Sequence, residues 1–318
     1  MELLRAFRRA FRTLDLPGRI IATDIDPLAP ALQEADVRYM VPRYTAPHYV
    51  PALVEICRRE QASLVFPLID PDIPLLAAAR DAFRQTAARP AVVSPEAAAI
   101  AADKWQTNRF FRSLGLPVPR AWLPGDLRGV SLDFPLFVKP RRGSAGKNTF
   151  RADNRQQLDF FLDYVPDAVV EELLPGPEIT SDVISDLDGG ILAVVSRRRI
   201  EVRWGEVAKG VTVYDPRITE ACVQIARSLP APGPINVQCL MKDGTPHFTE
   251  INARFGGGVP LAIAAGMDAP RWYLALAAGL PADPPPLGSY PTGLHLTRYD
   301  DSFFITQADV DRIASRRL

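Results

Sequence analysis

The chain has 318 residues, enough for roughly two or three subdomains around a sizeable core. Hydrophobic residues make up 47% and charged residues 23%, and 37 Lys and Arg balance 37 Asp and Glu. Zero net charge excludes a global drive towards nucleic acid or an anionic membrane, so any anion site must be a local cluster. Cys57, Cys222 and Cys239 are odd in number and lack CxxC spacing, which suggests neither a zinc site nor a disulfide framework and fits a reducing cytoplasm. No apolar run reaches the ~18 residues of a membrane span.

The chain opens with Leu3, Leu4, Phe7, Phe11 and Leu14 at helical spacing, with Arg5, Arg8, Arg9 and Arg12 between them. A basic amphipathic helix of this kind can resemble a transit peptide, but a strand follows directly, which favours a surface helix of the first domain. Arg19 to Thr23 reads as a strand, Ala29 to Ala35 as a helix, and Val37 to Val41 as a strand. Pro51 to Arg59 reads as a helix, Ser63 to Ile69 as a strand, Leu75 to Phe83 as a helix and Ala91 to Val93 as a short strand. This alternation implies a parallel sheet with helices on both faces. Asp24 and Asp70 end two of the strands, but without GxGxxG a dinucleotide site is disfavoured, and helix capping is the expectation for these acids.

A second region begins near Ser94, where Ser94-Pro95-Glu96 has the form of a helix start. Asp103 to Leu114 is a further helix, and Pro135 to Val138 a strand leading into Lys139-Pro140-Arg141-Arg142-Gly143-Ser144-Ala145-Gly146-Lys147. Asp153 to Tyr164 is helical and Ala168 to Leu174 a strand; Ile179 to Ser185 pairs with Ile191 to Ser196 about a Leu187 to Gly190 turn. Arg197 to Thr212 reads as a solvated basic loop, then Arg217 to Leu229 as a helix. Ile235 to Met241 and His247 to Asn252 form a hairpin about Lys242-Asp243-Gly244. Pro281 to Pro286 is a linker, and Gly293 to Thr306 an extended final strand.

Three segments carry chemistry. In the Lys139 to Lys147 loop, Gly143, Ser144 and Gly146 let backbone N–H groups approach phosphate oxygens, although GxxxxGK[ST] is absent. Glu171-Glu172-Leu173-Leu174-Pro175-Gly176-Pro177-Glu178 places acids around an apolar strand end, suited to a ribose hydroxyl and an adenine edge. In Glu250-Ile251-Asn252-Ala253-Arg254, residues two apart share one face, so a carboxylate, an amide and a guanidinium project together. Hard oxygen ligands suit Mg²⁺ and an adjacent Arg suits an anion.

In this order, with Asp103-Lys104 and Asn236-Val237-Gln238, these segments resemble the ATP-grasp superfamily over about 94–280, and within it short single-unit relatives of the carbamoyl phosphate synthetase large chain. The resemblance implies an N-terminal parallel α/β domain over 1–93. An ATP-grasp domain follows over 94–318, with a small lid at about 120–173 and a larger antiparallel sheet. Relatives usually open on a strand before the first helix, so the first domain is expected to lack that strand, leaving its neighbours with unpaired edges.

The resemblance also implies roles. Lys104 and Lys139 contact ATP phosphates beneath the lid loop of Gly143, Ser144 and Gly146. Glu172 and Leu174 lie at the adenine and Glu178 at the ribose. Gln238, Glu250 and Asn252 bind Mg²⁺, with Mn²⁺ as the alternative ion. Arg254, with the backbone of Gly256 to Gly258, holds the acyl group or its phosphate, and Lys209 is a further cation at the cleft. The implied activity is a ligase that converts a small-molecule carboxylate to an acyl phosphate and passes it to an amine, with release of ADP and phosphate. Bicarbonate phosphorylation of the carbamoyl-phosphate type and ATP binding without turnover are the alternatives. Neither nucleic acid nor membrane is an expected partner, and homodimers are common in such families.

Overall fold

The computed structural model describes residues 1–143, 146–203 and 205–316. The N-terminal region contains α1 (Glu2–Thr13), β1 (Ile21–Asp24), α2 (Pro30–Glu34), β2 (Val37–Met40), α3 (Tyr49–Glu60), β3 (Leu64–Val65), α4 (Asp72–Ala78), α5 (Arg80–Arg84) and β4 (Arg89–Pro90). β1 pairs parallel with β2 and β3 with β4, as two separate two-stranded sheets. The amphipathic pattern of α1 is used for docking. Leu3 and Phe7 pack on a cluster that includes Trp272 and Tyr273, while Arg5 and Arg8 pair with Glu34.

Several expected elements are shorter or displaced. The strand expected over 63–69 pairs only at Leu64–Val65, because Pro67 has no N–H for a ladder; beyond it Leu68 and Ile69 are exposed. Ala91 to Val93 is not a strand. The ladder sits at Arg89–Pro90, is extended by the Ala91 N–H to Val65 carbonyl bond at 2.8 Å, and Val92 and Val93 enter the core as irregular chain. The helix expected over 75–83 is divided between α4 and α5 at Ala79.

α6 (Pro95–Ala102) starts where the Ser94 hydroxyl accepts the Ala97 N–H, and α7 (Lys104–Ser113) starts at Asp103. The lid follows: β5 (Ala121–Trp122), a 3₁₀ turn (Pro124–Leu127), β6 (Leu136–Pro140), β7 (Phe150–Ala152), α8 (Arg155–Tyr164) and β8 (Ala168–Glu172). Its four-stranded antiparallel sheet runs β5-β8-β6-β7 over a core of Leu136, Val138, Leu158 and Val170.

The larger sheet is six-stranded and antiparallel, in the order β13-β12-β9-β10-β11-β14. Its strands are β9 (Glu178–Ser185), β10 (Ile191–Arg203), β11 (Glu206–Val213), β12 (Pro234–Lys242), β13 (Thr245–Asn252) and β14 (His295–Thr297); its helices are α9 (Pro216–Ser228), α10 (Val259–Ala264) and α11 (Ala269–Ala277). Strand alternation assigns the two faces. Ile179, Val183, Val194, Ile235, Val237 and Cys239 turn towards α9 and join the main core, which extends through Phe111 to Leu53 of α3. On the opposite face Ile184 and Val195 lie beneath Trp272 and Phe255. The remainder of that face is polar, with Glu178, Thr180, Asp182, Arg197, Arg199, Asn236 and Gln238, and it fronts the lid.

The stretch expected to be a solvated basic loop is instead the end of β10 and all of β11. Near the turn, residues 200–203 and 205–206 are exposed or half-exposed and largely charged, so that end lacks the apolar alternation that normally marks a strand. The final extended segment pairs only at His295–Thr297. A further helix, α12 (Gln307–Ala314), follows behind a Thr306–Asp309 capping box and seats Ile313 against Leu32 and Met40. No helix of the described residues is long and apolar enough to cross a membrane.

Candidate active site

A cleft of about 520 Å³ separates the polar half-face of the large sheet from the lid. Its floor is set by the β12–β13 register, which pairs Asn236 with Asn252 and Gln238 with Glu250. A β-bulge between these strands opposes Phe248 to Cys239 and leaves Thr249 as the extra residue. Phe248 and Ile251, three apart, can therefore both enter the core, while Glu250 and Asn252 line the cleft. Phe111 of α7 packs on Phe248 from behind, with ring centroids 5.7 Å apart.

The basic loop after β6 divides into two groups. Arg141 and Arg142 both pair with Asp103, whose Oδ2 lies 2.5 Å from Arg141 Nη2 and 3.2 Å from Arg142 Nη2; Arg141 is held off the cleft, while Arg142 also lines it. Asp103 also caps α7 by accepting the Trp105 and Gln106 N–H groups. Burial alone would raise its pKa; Arg141 and the capped backbone groups outweigh this and lower it. The clamp brings the N-terminus of α7 to the loop, so Lys104 Nζ donates to the Gly143 carbonyl at 2.6 Å and faces the cleft. Lys139 also lines the cleft, paired with Glu171 at 2.6 Å. Gly143, Gly146 and Lys147 form the rim, and Ser144 lies outside the described residues.

At the opposite wall Glu172, Leu173, Leu174 and Glu178 line a slot. Glu172 is held by Arg120 and Lys242, and these contacts keep its pKa low against the opposing effect of burial. Glu178 accepts from Arg199 Nη1 at 2.7 Å and from Gln238 Nε2 at 2.9 Å. Gln238 thus bonds through its nitrogen and leaves its oxygen available. Glu250 Oε atoms, the Asn252 amide and that oxygen form an all-oxygen donor set of the kind Mg²⁺ takes alongside phosphate oxygens. Among the described residues no trio of His, Cys, Asp and Glu offers a richer metal site. Burial raises the Glu250 pKa, Lys104 and Lys139 oppose this, and Asp70 and Glu178 reinforce it. Lys104 is lowered by burial, with Glu250 opposing and Lys139 adding. A divalent cation bound by these oxygens would stabilise the ionised form of Glu250.

Two features were not anticipated. Asp70 does not cap a helix: its carboxylate reaches across to Arg254, with Oδ1 at 2.7 Å from Nε and Oδ2 accepting from Nη2 at 3.1 Å. Arg197 is a buried cleft residue, ion-paired with Asp182, which also accepts from Asn236 Nδ2 at 2.9 Å. Gly256 and Gly258 lie directly on this cluster; a Cβ at Gly258 would sit 2.2 Å from Arg197 Nε. Lys209 is the expected residue that the structure leaves outside: it is half-exposed on β11, 2.7 Å from Glu201, and absent from the cleft lining. Its position on a strand aims it at a cross-strand neighbour, whereas a loop lysine could have turned inwards. Asp70 followed by a proline, and the Arg197-Arg198-Arg199 run, were the available signals; neither distinguishes cleft from surface in sequence.

A family model described as the PylC-like N-terminal domain matches residues 1–90, and one described as ATP-grasp in the biosynthetic pathway with Ter operon matches residues 164–294. The D-alanine--D-alanine ligase of Marinomonas sp. is 38% identical over 104 residues, covering 30% of this chain and 32% of that protein. The carbamoyl phosphate synthase large chain of Deinococcus radiodurans is 27% identical over 189 residues, covering 52% of this chain and 18% of that protein. The matched span is thus under a third of either curated relative. A solved biotin carboxylase complex from Campylobacter jejuni superposes with a TM-score of 0.73 at 16% identity, over 92% of this chain and 72% of its own.

Proposed function

We propose, from the ATP-grasp family model that matches residues 164–294, that the chain is an ATP-dependent carboxylate–amine ligase of the ATP-grasp superfamily, with residues 1–93 and 94–318 as its two domains. The observation that carries the reading is the meeting of Lys104, Lys139, Glu250, Asn252 and Arg254 in one cleft. Phosphoryl transfer needs little covalent help from protein; it needs charge neutralisation and alignment. Lys104 and Lys139 supply positive charge beneath the glycine-bearing rim. Leu174 and Glu172 offer an apolar wall and a polar edge for adenine, and Glu178 a ribose contact. Gln238, Glu250 and Asn252 would hold Mg²⁺, which neutralises phosphate charge when bound. Arg254, aligned by Asp70, would grip the carboxylate that attacks the γ-phosphate and then the acyl phosphate formed. Closure of the lid would keep water from that intermediate.

The test is ADP release with pooled small carboxylates, with and without amines, against bicarbonate plus ammonia. Glu250→Gln removes the carboxylate of the proposed metal site and should depress release by well over tenfold with the fold retained, as removal of such electrostatic groups does. Release that needs a carboxylate and is lost in Glu250→Gln supports the ligase; near-normal release in Glu250→Gln refutes the site. Release with bicarbonate alone favours the carbamoyl-phosphate reading, to which the Asn236-Val237-Gln238 pattern leans. ATP binding without release under any condition favours a binding protein.

A further inference from the structure

Glu206 begins β11, where the β10–β11 hairpin turns back over the glycine segment. A Cβ at Gly257 would lie 1.4 Å from Glu206 Oε2, so the carboxylate rests in the space a side chain at 257 would fill. Its nearest cation among the described residues is Arg298, with Nη1 at 3.6 Å, and Arg298 also donates to the Gly257 carbonyl. The Glu206 side chain remains 56% exposed. Several acids in or beside the cleft are engaged more closely: Glu171 with Lys139, Glu178 with Arg199, Asp70 with Arg254, and Asp182 with Arg197.

We propose that Glu206 is the catalytic residue that receives the ammonium group of the amine substrate and takes its proton, so that the second substrate is a primary amine that is cationic in solution. The inference rests on the ligase reading. An ammonium ion has no lone pair and cannot attack an acyl phosphate. A carboxylate beside the segment proposed to hold that acyl phosphate attracts the cation and accepts one proton from it. The freed nitrogen pair then forms the C–N bond, and the C–O bond to phosphorus breaks with its electrons on the departing phosphate. The second nitrogen proton leaves with phosphate, and Glu206 returns the first to solvent. The missing side chain at Gly257 is what lets the carboxylate come so close.

The experiment compares wild type, Glu206→Gln and Glu206→Asp, using each pooled carboxylate that supports ADP release. Two nucleophiles are used: pooled amino acids, which bear ammonium, and hydroxylamine, which is neutral at pH 7 and is read as hydroxamate. Glu206→Gln should lose on the order of 10²-fold in kcat/KM for the amine, at least ten times more than it loses with hydroxylamine, and Glu206→Asp should recover part of it. Equal losses with both nucleophiles would make Glu206 a structural prop and overturn the proposal. Unchanged or faster amine use in Glu206→Gln would also overturn it, the faster case marking Glu206 as an obstruction. Wild type that forms no hydroxamate and releases no ADP with any carboxylate would refute the ligase reading, and this role with it.

Discussion

Gly176 offers a sharp test of how the nucleotide wall is built. An added Cβ there would lie 1.4 Å from the Met241 carbonyl oxygen and 2.6 Å from its carbon. Ordinary contact begins near 3.4 Å, so the segment would have to retreat by about 2 Å from a backbone atom that belongs to β12. Gly176 does not occupy the left-handed region, so Gly176→Ala meets a contact problem alone. The retreat would break the Met241 N–H to Pro177 carbonyl bond of 3.0 Å, worth about 1 kcal/mol. Residual overpacking adds roughly 1–3 kcal/mol, and the stiffer unfolded chain returns about 0.4–1 kcal/mol. The net expectation is a loss of about 1–4 kcal/mol. Because Leu174 and Glu178 flank the residue and line the cleft, ATP affinity should fall about tenfold for each ~1.4 kcal/mol transferred to the slot. Denaturant unfolding followed by tryptophan fluorescence gives the first quantity and calorimetric ATP titration the second. Gly279→Ala is the control, since Gly279 has φ +73° and nothing within 4 Å, leaving a backbone cost of about 1 kcal/mol and no effect on ATP. Gly176→Ala with wild-type stability and wild-type ATP affinity would refute this account of the wall.

Two further outcomes follow from buried groups. The Asp103 pKa is depressed in the fold, so its stabilisation is present above the unfolded value near pH 4 and is lost as pH falls through the lower folded value; Asp103→Asn should flatten acid unfolding below about pH 4, and an unchanged acid limb would show the clamp to be inert. Burial pushes the Cys57 thiol up to about 11 and Cys222 to about 12, and raises Cys239 as well; all three should resist a thiol reagent in the native protein at pH 8 and react together on unfolding, so fast labelling of any one would contradict its burial.

Much of the fold was legible because it depends on local alternation. Glu178 and Thr180 of β9 and Asn236 and Gln238 of β12 alternate into the cleft, and the Glu250–Asn252 pair could be read as sharing a face without knowledge of what it faces. Helix starts at Ser94 and Asp103 were legible for a similar reason, since a cap acts on its own first turn. It was the resemblance to the ATP-grasp superfamily, carried by the order of these segments, that implied Lys104, Lys139, Glu178 and Glu250 in one expected site. The N-terminal strands were harder to delimit, because pairing there stops where Pro67 removes a donor.

Tertiary structure decided what local pattern leaves open: which charge meets which. Asp70 and Arg254 are 184 residues apart, and only packing the segment after β3 against the end of β13 makes them a forked ion pair. Four cations of the Lys139 to Lys147 loop look equivalent in sequence, yet Asp103 clamps two of them and holds Arg141 off the cleft, while Lys139, Arg142 and Lys147 line it. Lys209 and Glu206 stand three residues apart on β11, and strand geometry turns one to Glu201 and lays the other on Gly257. Side-chain type and periodicity are properties of the chain itself, whereas Coulomb energy depends on distance and burial, which exist only once the sheets and helices have closed on one another.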